Sequence, residues 1–306
     1  MSHPATPQNP PTPGLAAVRP DRVPERLVPT RREDFGFGEV DLPKHFMKGD
    51  LIQSHMVVVL SCLFPDGEDF FVRSVRNYRD RITDPVLRKQ VAGFIGQEAV
   101  HGREHRAFNE ALRELGYPTR FNETRVRIIL GILSRVAPKS YQLALTAALE
   151  HYTATLAELL LTTDLLDADT DVEEIRQLFA WHAVEESEHK AVAFDVFMQV
   201  CGSERIRVNV MRLATVGFVM AILVGMTVSL ATDRSAWNPV RLWRSLRRFR
   251  HHPMLSTGVW RRIRQYDEPG FHPDDIDTED LLEEWREKLF APDGLMADRV
   301  KGVSAA

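Results

Sequence analysis

Apolar positions recur at helical spacing through most of the chain and predict an all-α fold. A strongly apolar stretch over 51–64 is interrupted by Pro65, and helical spacing resumes over 66–82 with Arg73, Arg76, Arg79 and Arg81 on a solvated face. Thr83-Asp84-Pro85 joins a capping residue to an early proline and opens a helix that runs to Leu115, where Gly116-Tyr117-Pro118 ends it. Residues 123–136 form a short amphipathic connection. Pro138 opens a further helix to about Leu166, and the polar turn 167–171 caps one that ends at Cys201-Gly202-Ser203. Residues 213–231 then carry no charge at all, and 237–252 place Leu242, Trp243, Leu246 and Phe249 on one face among arginines. The proline-dense first thirty residues read as a flexible or polyproline-like tail. The expected division is a tail over 1–39, a helical bundle over 40–203, an apolar helix with a basic amphipathic segment over 204–265, and a small helical cap over 266–306.

The chemistry concentrates in 181–190, Trp-His-Ala-Val-Glu-Glu-Ser-Glu-His-Lys. At 100° per residue His182, Glu186 and His189 fall near 0°, 40° and −20°, roughly one stripe of a helix. Glu185, near −60°, is a substitute ligand or a group that orients one; Glu188, near −120°, is poorly placed. Upstream, Gln97-Glu98-Ala99-Val100-His101 repeats the Glu-x-x-His spacing, with His105 about −20° from Glu98. His105 is expected to orient a ligand imidazole rather than bind metal itself. Glu68 and Glu150 each stand as an acid on an apolar helical stretch. The order Glu68, Glu98-x-x-His101, Glu150, Glu186-x-x-His189 is the ligand plan of a four-helix site for two metals. The expected ligands are Glu68, Glu98, His101, Glu150, His182, Glu186 and His189, with His182 and His189 on one metal and His101 on the other. Spacing leaves open which acids bridge.

With these residues in view, the chain resembles the ferritin-like di-iron superfamily, which implies a ferritin-like four-helix bundle with additional C-terminal helices. His182-x-x-x-Glu186-x-x-His189 resembles the seven-ligand site of di-iron arylamine N-oxygenases. Phe64-Pro65-x-Gly67-Glu68-x-Phe70-Phe71, Gln97-Glu98-x-x-His101 and Trp181-His182-x-x-Glu185-Glu186-x-Glu188-His189-Lys190 are also similar to a bacterial family labelled predicted metal-dependent hydrolase, closely over 41–201. The ligand plan implies two irons, manganese or zinc also suiting the donors, and an oxygen-dependent oxidoreductase acting on an apolar or amphiphilic substrate with an electron donor unknown. The label implies hydrolysis. A non-catalytic iron-storing or scaffold protein is a third expectation.

A net charge of −4 gives no global case for nucleic acid. Cys62 and Cys201, far apart in apolar surroundings, read as reduced thiols. The start lacks the basic and apolar regions of a secretory signal, which places the expected bundle in the cytoplasm. The uncharged run nearly matches a hydrocarbon core in length. Arginines flank it on both sides, however, so the expectation is attachment to the inner membrane face with a lipid-like substrate rather than a simple span. His3, His45, His251, His252 and His272 are given no ligand role.

Overall fold

A computed structural model describes residues 23–304, so the first part of the proline-dense stretch, with His3, lies outside the described residues. Helix follows helix: α1 (Leu51–Ser61), α2 (Phe64–Arg76), α3 (Pro85–Glu114), α4 (Thr119–Val136), α5 (Lys139–Thr162), α6 (Leu165–Asp169), α7 (Glu173–His189), α8 (Val192–Val200), α9 (Glu204–Thr232), α10 (Pro239–Phe249), α11 (Thr257–Gln265) and α12 (Glu279–Phe290). The strands among the described residues are β1 (Thr30–Arg31) and β2 (Val303–Ser304), which pair antiparallel.

The local signals act largely where the pattern puts them. Asp84 accepts from the Val86 and Leu87 amides ahead of Pro85 and so caps α3. Pro65 lies in the first turn of α2, where its missing N–H costs nothing, and starts a helix instead of kinking one. The expected cap over 167–171 is displaced: part of it forms α6, and the Thr170 hydroxyl accepts the Val172 amide just before α7. The expected long fourth helix breaks at Lys190–Ala191 into α7 and α8. At that break the Lys190 ammonium turns inward to the Ile276 carbonyl and the Thr278 hydroxyl. Cys62 and Cys201 are free thiols at the ends of α1 and α8.

Helices α2, α3, α5 and α7 pack in a ring, α2 against α3 and α5, and α7 against α3 and α5. Two apolar clusters fill the bundle: one gathers Phe70, Phe94, Leu143 and Phe194, the other Phe46, Phe108, Leu178 and Trp181. Along α3, Phe94 belongs to the first and Phe108 to the second, and Glu98 and His101 fall between them.

Residues expected to continue the tail to position 39 instead pack on the bundle. Val28, Phe35 and Phe37 are buried, and apolar area removed from water is what holds the segment down. Two glycines of α3 admit it: a Cβ on Gly93 would stand 2.1 Å from the Val28 carbonyl oxygen, and one on Gly96 1.9 Å from the Thr30 hydroxyl. These glycines therefore serve the approach of a strand, while a Cβ on Gly102 would meet Glu68 Oε2 at 3.1 Å. The consequence is that Arg31 is carried into the interior.

Helix α9 lies along α5 and α1. Gly225 lets it approach Val59, and Ser229 meets His55 Nδ1 at 2.6 Å. By length and composition α9 could cross a membrane.

Candidate metal centre

All seven expected ligand residues converge in the interior of the ring, and each is 4% exposed or less. They form two groups. Glu68, His101 and His182 each offer an atom within 4.8 Å of the others, and Glu98, Glu186 and His189 do the same. Glu150 joins the second group, its Oε2 3.3 Å from His189 Nε2.

Glu98 and Glu186 face both groups. Glu98 Oε1 is 3.3 Å from His189 Nε2 and its Oε2 3.9 Å from His101 Nδ1. Glu186 Oε1 lies 2.9 Å from His182 Nε2 and 3.8 Å from His101 Nδ1, while its Oε2 is 3.7 Å from His189 Nε2. The expected sharing of one metal by His182 and His189 is not what the structure shows, since His182 sits with His101. Seven residues of helix separate His182 from His189 by roughly 10 Å along the axis, so the same stripe serves two places.

The donor atoms fit cations. Neighbouring ligands on one ion with bonds of about 2.1 Å lie about 3.0–3.4 Å apart, close to several of these separations. Both carboxylate oxygens of Glu68, Glu98 and Glu150, with His101 Nδ1, Glu186 Oε2 and His189 Nε2, are buried and lack a hydrogen-bond partner. Buried polar atoms are ordinarily satisfied, and an orphaned set of acceptors converging on one place is what bound cations would satisfy. The donors are carboxylate and imidazole without thiolate, which suits iron, manganese or zinc.

Electrostatics carry the same mark. Burial pushes the carboxyls of Glu68, Glu98 and Glu150 above the usual range; neighbouring carboxylates add to the shift, while His189 opposes it at Glu98 and Glu150 without reversing it. Burial acts upward on Glu186 too, but His182 and His189 outweigh it and hold Glu186 well below. For His189, burial opposes the charged form, and Glu150, Glu186 and Glu98 overcome it.

The other ring nitrogen of each imidazole is held from outside the cluster. His101 Nε2 lies 3.0 Å from Glu185 Oε2, which leaves Nδ1 facing inward. His189 Nδ1 donates to Gln97 Oε1 at 2.8 Å, leaving Nε2 inward. Glu185 is thus an orienting group, not a substitute ligand. It accepts from Arg31, and burial lifts its carboxyl to about 8 even so. Arg31 also makes a two-pronged pair with Glu188, and Glu188 in turn accepts from Gln97 and Arg286.

His182 is set by a longer relay. The Ser61 hydroxyl donates to Asn109 Oδ1, whose amide is fixed by donation to Glu123. The Ser61 oxygen therefore accepts from His105 Nδ1 at 2.9 Å, and His105 Nε2, left as an acceptor, takes the His182 Nδ1 proton at 2.7 Å. Burial keeps His105 neutral, as this relay requires. His182 Nε2 is thereby the nitrogen turned toward Glu186 and Glu68. Ser61→Ala should release the tautomer and weaken metal binding at the His101–His182 end by about 10-fold or more, read by titration calorimetry; unchanged affinity at both positions would rule the relay out.

His45, His55 and Asp233 form a third gathering of possible ligands. Its atoms are mutually satisfied: Asp233 Oδ2 accepts from both imidazoles, and Arg241 sits at 2.9 Å from His45 Nδ1. It reads as a clamp on the end of α9. His151 meets the Arg262 carbonyl, and His252 and His272 meet Asp169 and Asp195.

An apolar cavity ends on the cluster. His182 and Glu186 are the cluster residues on its lining, Met56, Leu60, Leu156 and Leu160 line it with apolar side chains, and Phe249 at the end of α10 contributes together with His252 and Met254 after it.

Residues 29–277 match the model of a family described as predicted metal-dependent hydrolase, and the chain belongs to that family. No curated protein and no solved structure matches the chain. Membership overturns the expectation that an oxygen-dependent oxidoreductase is the better reading than a hydrolase; the ligand plan that suggested it is a feature of donor geometry and does not by itself select a reaction.

Proposed function

We propose that this member of the predicted metal-dependent hydrolase family is a two-metal hydrolase that cleaves an ester-type bond at the end of an apolar chain. The observation that carries the reading is the apolar cavity ending on His182 and Glu186. In this reading Glu68, His101 and His182 would hold one cation, Glu150 and His189 would hold the other, and Glu98 and Glu186, which lie near both groups, would add their carboxylates. Cations held there would supply Lewis-acid activation of water and of the scissile group.

The chain's own residues prepare that chemistry. Glu185, Gln97 and the Ser61–His105 relay aim one nitrogen of each imidazole inward, so no reorientation is needed when substrate arrives. The leucine and methionine walls take up the apolar chain and exclude water from it, which leaves the polar end of the substrate beside Glu186. Phe64 packs its ring against His105 and His182, 4.5 and 4.7 Å between centroids, and shields that side of the site.

Assay of p-nitrophenyl acyl esters of increasing chain length tests the proposal, using chelated protein and protein restored with zinc, manganese or ferrous iron. Hydrolysis should require metal and rise with chain length, and Glu186→Gln should lower kcat/KM by about 100-fold or more while the fold is kept. Hydrolysis that survives chelation, or a Glu186→Gln protein as active as the wild type, would overturn it.

A further inference from the structure

The outer side of α9 is apolar and uncovered. Leu213, Val216, Met220 and Leu223 stand three and four residues apart on one stripe and are 51–71% exposed. Only 17% of the helix's most apolar window is buried in the protein. The opposite side is occupied: Val210, Met211 and Ala214 are in the core, Gly225 lies on Val59 and Ser229 on His55. A helix gripped along one side cannot be ringed by lipid as a spanning helix is, yet an exposed apolar stripe of this length calls for a cover.

The segment that follows says what the cover is. Trp237 and Trp243 are 68% and 67% exposed near Arg234, Arg244 and Arg247, which are exposed and make no ion pair among the described residues, whereas Arg248 of the same helix pairs with Asp50. Tryptophans suit the headgroup level of a bilayer, unpaired arginines suit lipid phosphates, and an adjoining apolar stripe suits the acyl boundary. A second copy of the chain fits less well, because the exposed stripe of α9 carries no acidic side chain that could meet these arginines in a two-fold contact. Phe249 at the end of α10, with His252 and Met254 just after it, is among the residues lining the cavity that also includes His182 and Glu186.

We propose that the outer stripe of α9, with the tryptophan- and arginine-bearing segment through α10, docks the protein on the surface of an anionic bilayer, and that the cavity takes an acyl lipid from that surface as its substrate. The docking stands by itself, and the substrate rests on the hydrolase reading above. It is a surface attachment, with α9 lying half in the headgroup layer and the metal centre kept in the protein.

The test is sedimentation of the full metal-loaded chain with vesicles of phosphatidylcholine, with or without phosphatidylglycerol, alongside hydrolysis of a soluble short-chain ester and of the vesicle lipid. The protein should pellet with the anionic vesicles and be released by salt. Arg244→Gln with Arg247→Gln should weaken partition by roughly 30-fold, about 5-fold for each charge, and leave short-ester hydrolysis unchanged; Met220→Gln with Leu223→Gln should also weaken it. Protein that stays in the supernatant with anionic vesicles, that pellets equally well as the double arginine variant, or that forms a stable dimer and ignores vesicles would overturn the docking. Docked protein that hydrolyses the short ester but no vesicle lipid would overturn the substrate. Docked protein that hydrolyses neither would overturn the hydrolase reading while supporting the docking.

Discussion

Stripping metal from the protein should lower its melting temperature by on the order of 10 °C, and by more at pH 8 than at pH 5. Ligand at about 1,000 times its dissociation constant stabilises by about 4 kcal/mol per site, and a chain of this size gains only a degree or two for each kcal/mol. The pH dependence follows from Glu68, Glu98 and Glu150, whose carboxyls are held above the usual range in the metal-free fold by burial and by neighbouring carboxylates, Glu186 among them. Such groups bind more protons folded than unfolded, so their contribution is fully present below the ordinary carboxyl range and is lost as pH rises through the folded values. Cations displace those protons, and their affinity rises as the metal-free fold weakens. Calorimetric unfolding with and without chelator at both pH values measures the first effect, and metal titration in buffers of different ionisation enthalpy counts the protons released. A melting temperature indifferent to chelator and to added metal would remove the cluster from consideration as a metal centre.

Arg31→Ala should be among the most damaging single substitutions, costing about 3–5 kcal/mol, because it removes, among the described residues, one of the two cations on buried Glu188 and the one guanidinium bonded to buried Glu185. Arg31 is 5% exposed and lies 2.8 Å from both Glu185 and Glu188. Glu188 keeps Arg286 and Gln97, but Glu185 keeps only His101. Glu185 already titrates near 8 with Arg31 present. Its stabilising protonated form is lost as pH rises through that value, and removal of the guanidinium moves the loss to higher pH while deepening the cost of ionisation. The deficit against the wild type should therefore widen from acid to alkaline conditions in denaturant unfolding. Lysine would not restore it, since one ammonium cannot reproduce the two-pronged contact with Glu188 and the bond to Glu185 together. A variant within 1 kcal/mol of the wild type across that range would show that the ion pairs do not hold the strand in place.

What the sequence disclosed and what it hid divide on physical lines. The ligand residues were legible because Glu-x-x-His is a local relation: three residues on a helix place both side chains on one face, and Glu98 with His101 and Glu186 with His189 display it. The projection around the axis contains no height, so it grouped His182 with His189 when the structure puts His182 beside His101. Of the groups that hold the ligands from behind, Glu185 and His105 were legible from the same projection, whereas the partners that fix those two in turn were not. Arg31 reaches Glu185 across 154 residues, and Ser61 reaches His105 across 44, and no periodicity connects such pairs. The stretch around Val28 was hidden for another reason: proline density reads as a tail, while its burial depends on Gly93 and Gly96 leaving room on a helix far along the chain. The all-α fold followed directly from periodicity, whereas the reaction did not, because carboxylate and imidazole donors serve more than one chemistry.

The short pairing of β1 with β2 has a consequence in the order of synthesis. Arg31 sits in β1, and its strand partner, Val303, is near the end of the described chain. Arg286, the other cation on Glu188, comes from α12, also late. All the ligand helices can leave the ribosome and pack before either feature exists, so a nascent bundle would gather its carboxylates and imidazoles without the strand fastened behind them. The centre is thereby finished by Arg286 and the strand at Val303, and a polypeptide interrupted short of them would carry every ligand yet lack the closure behind Arg31, Glu185 and Glu188.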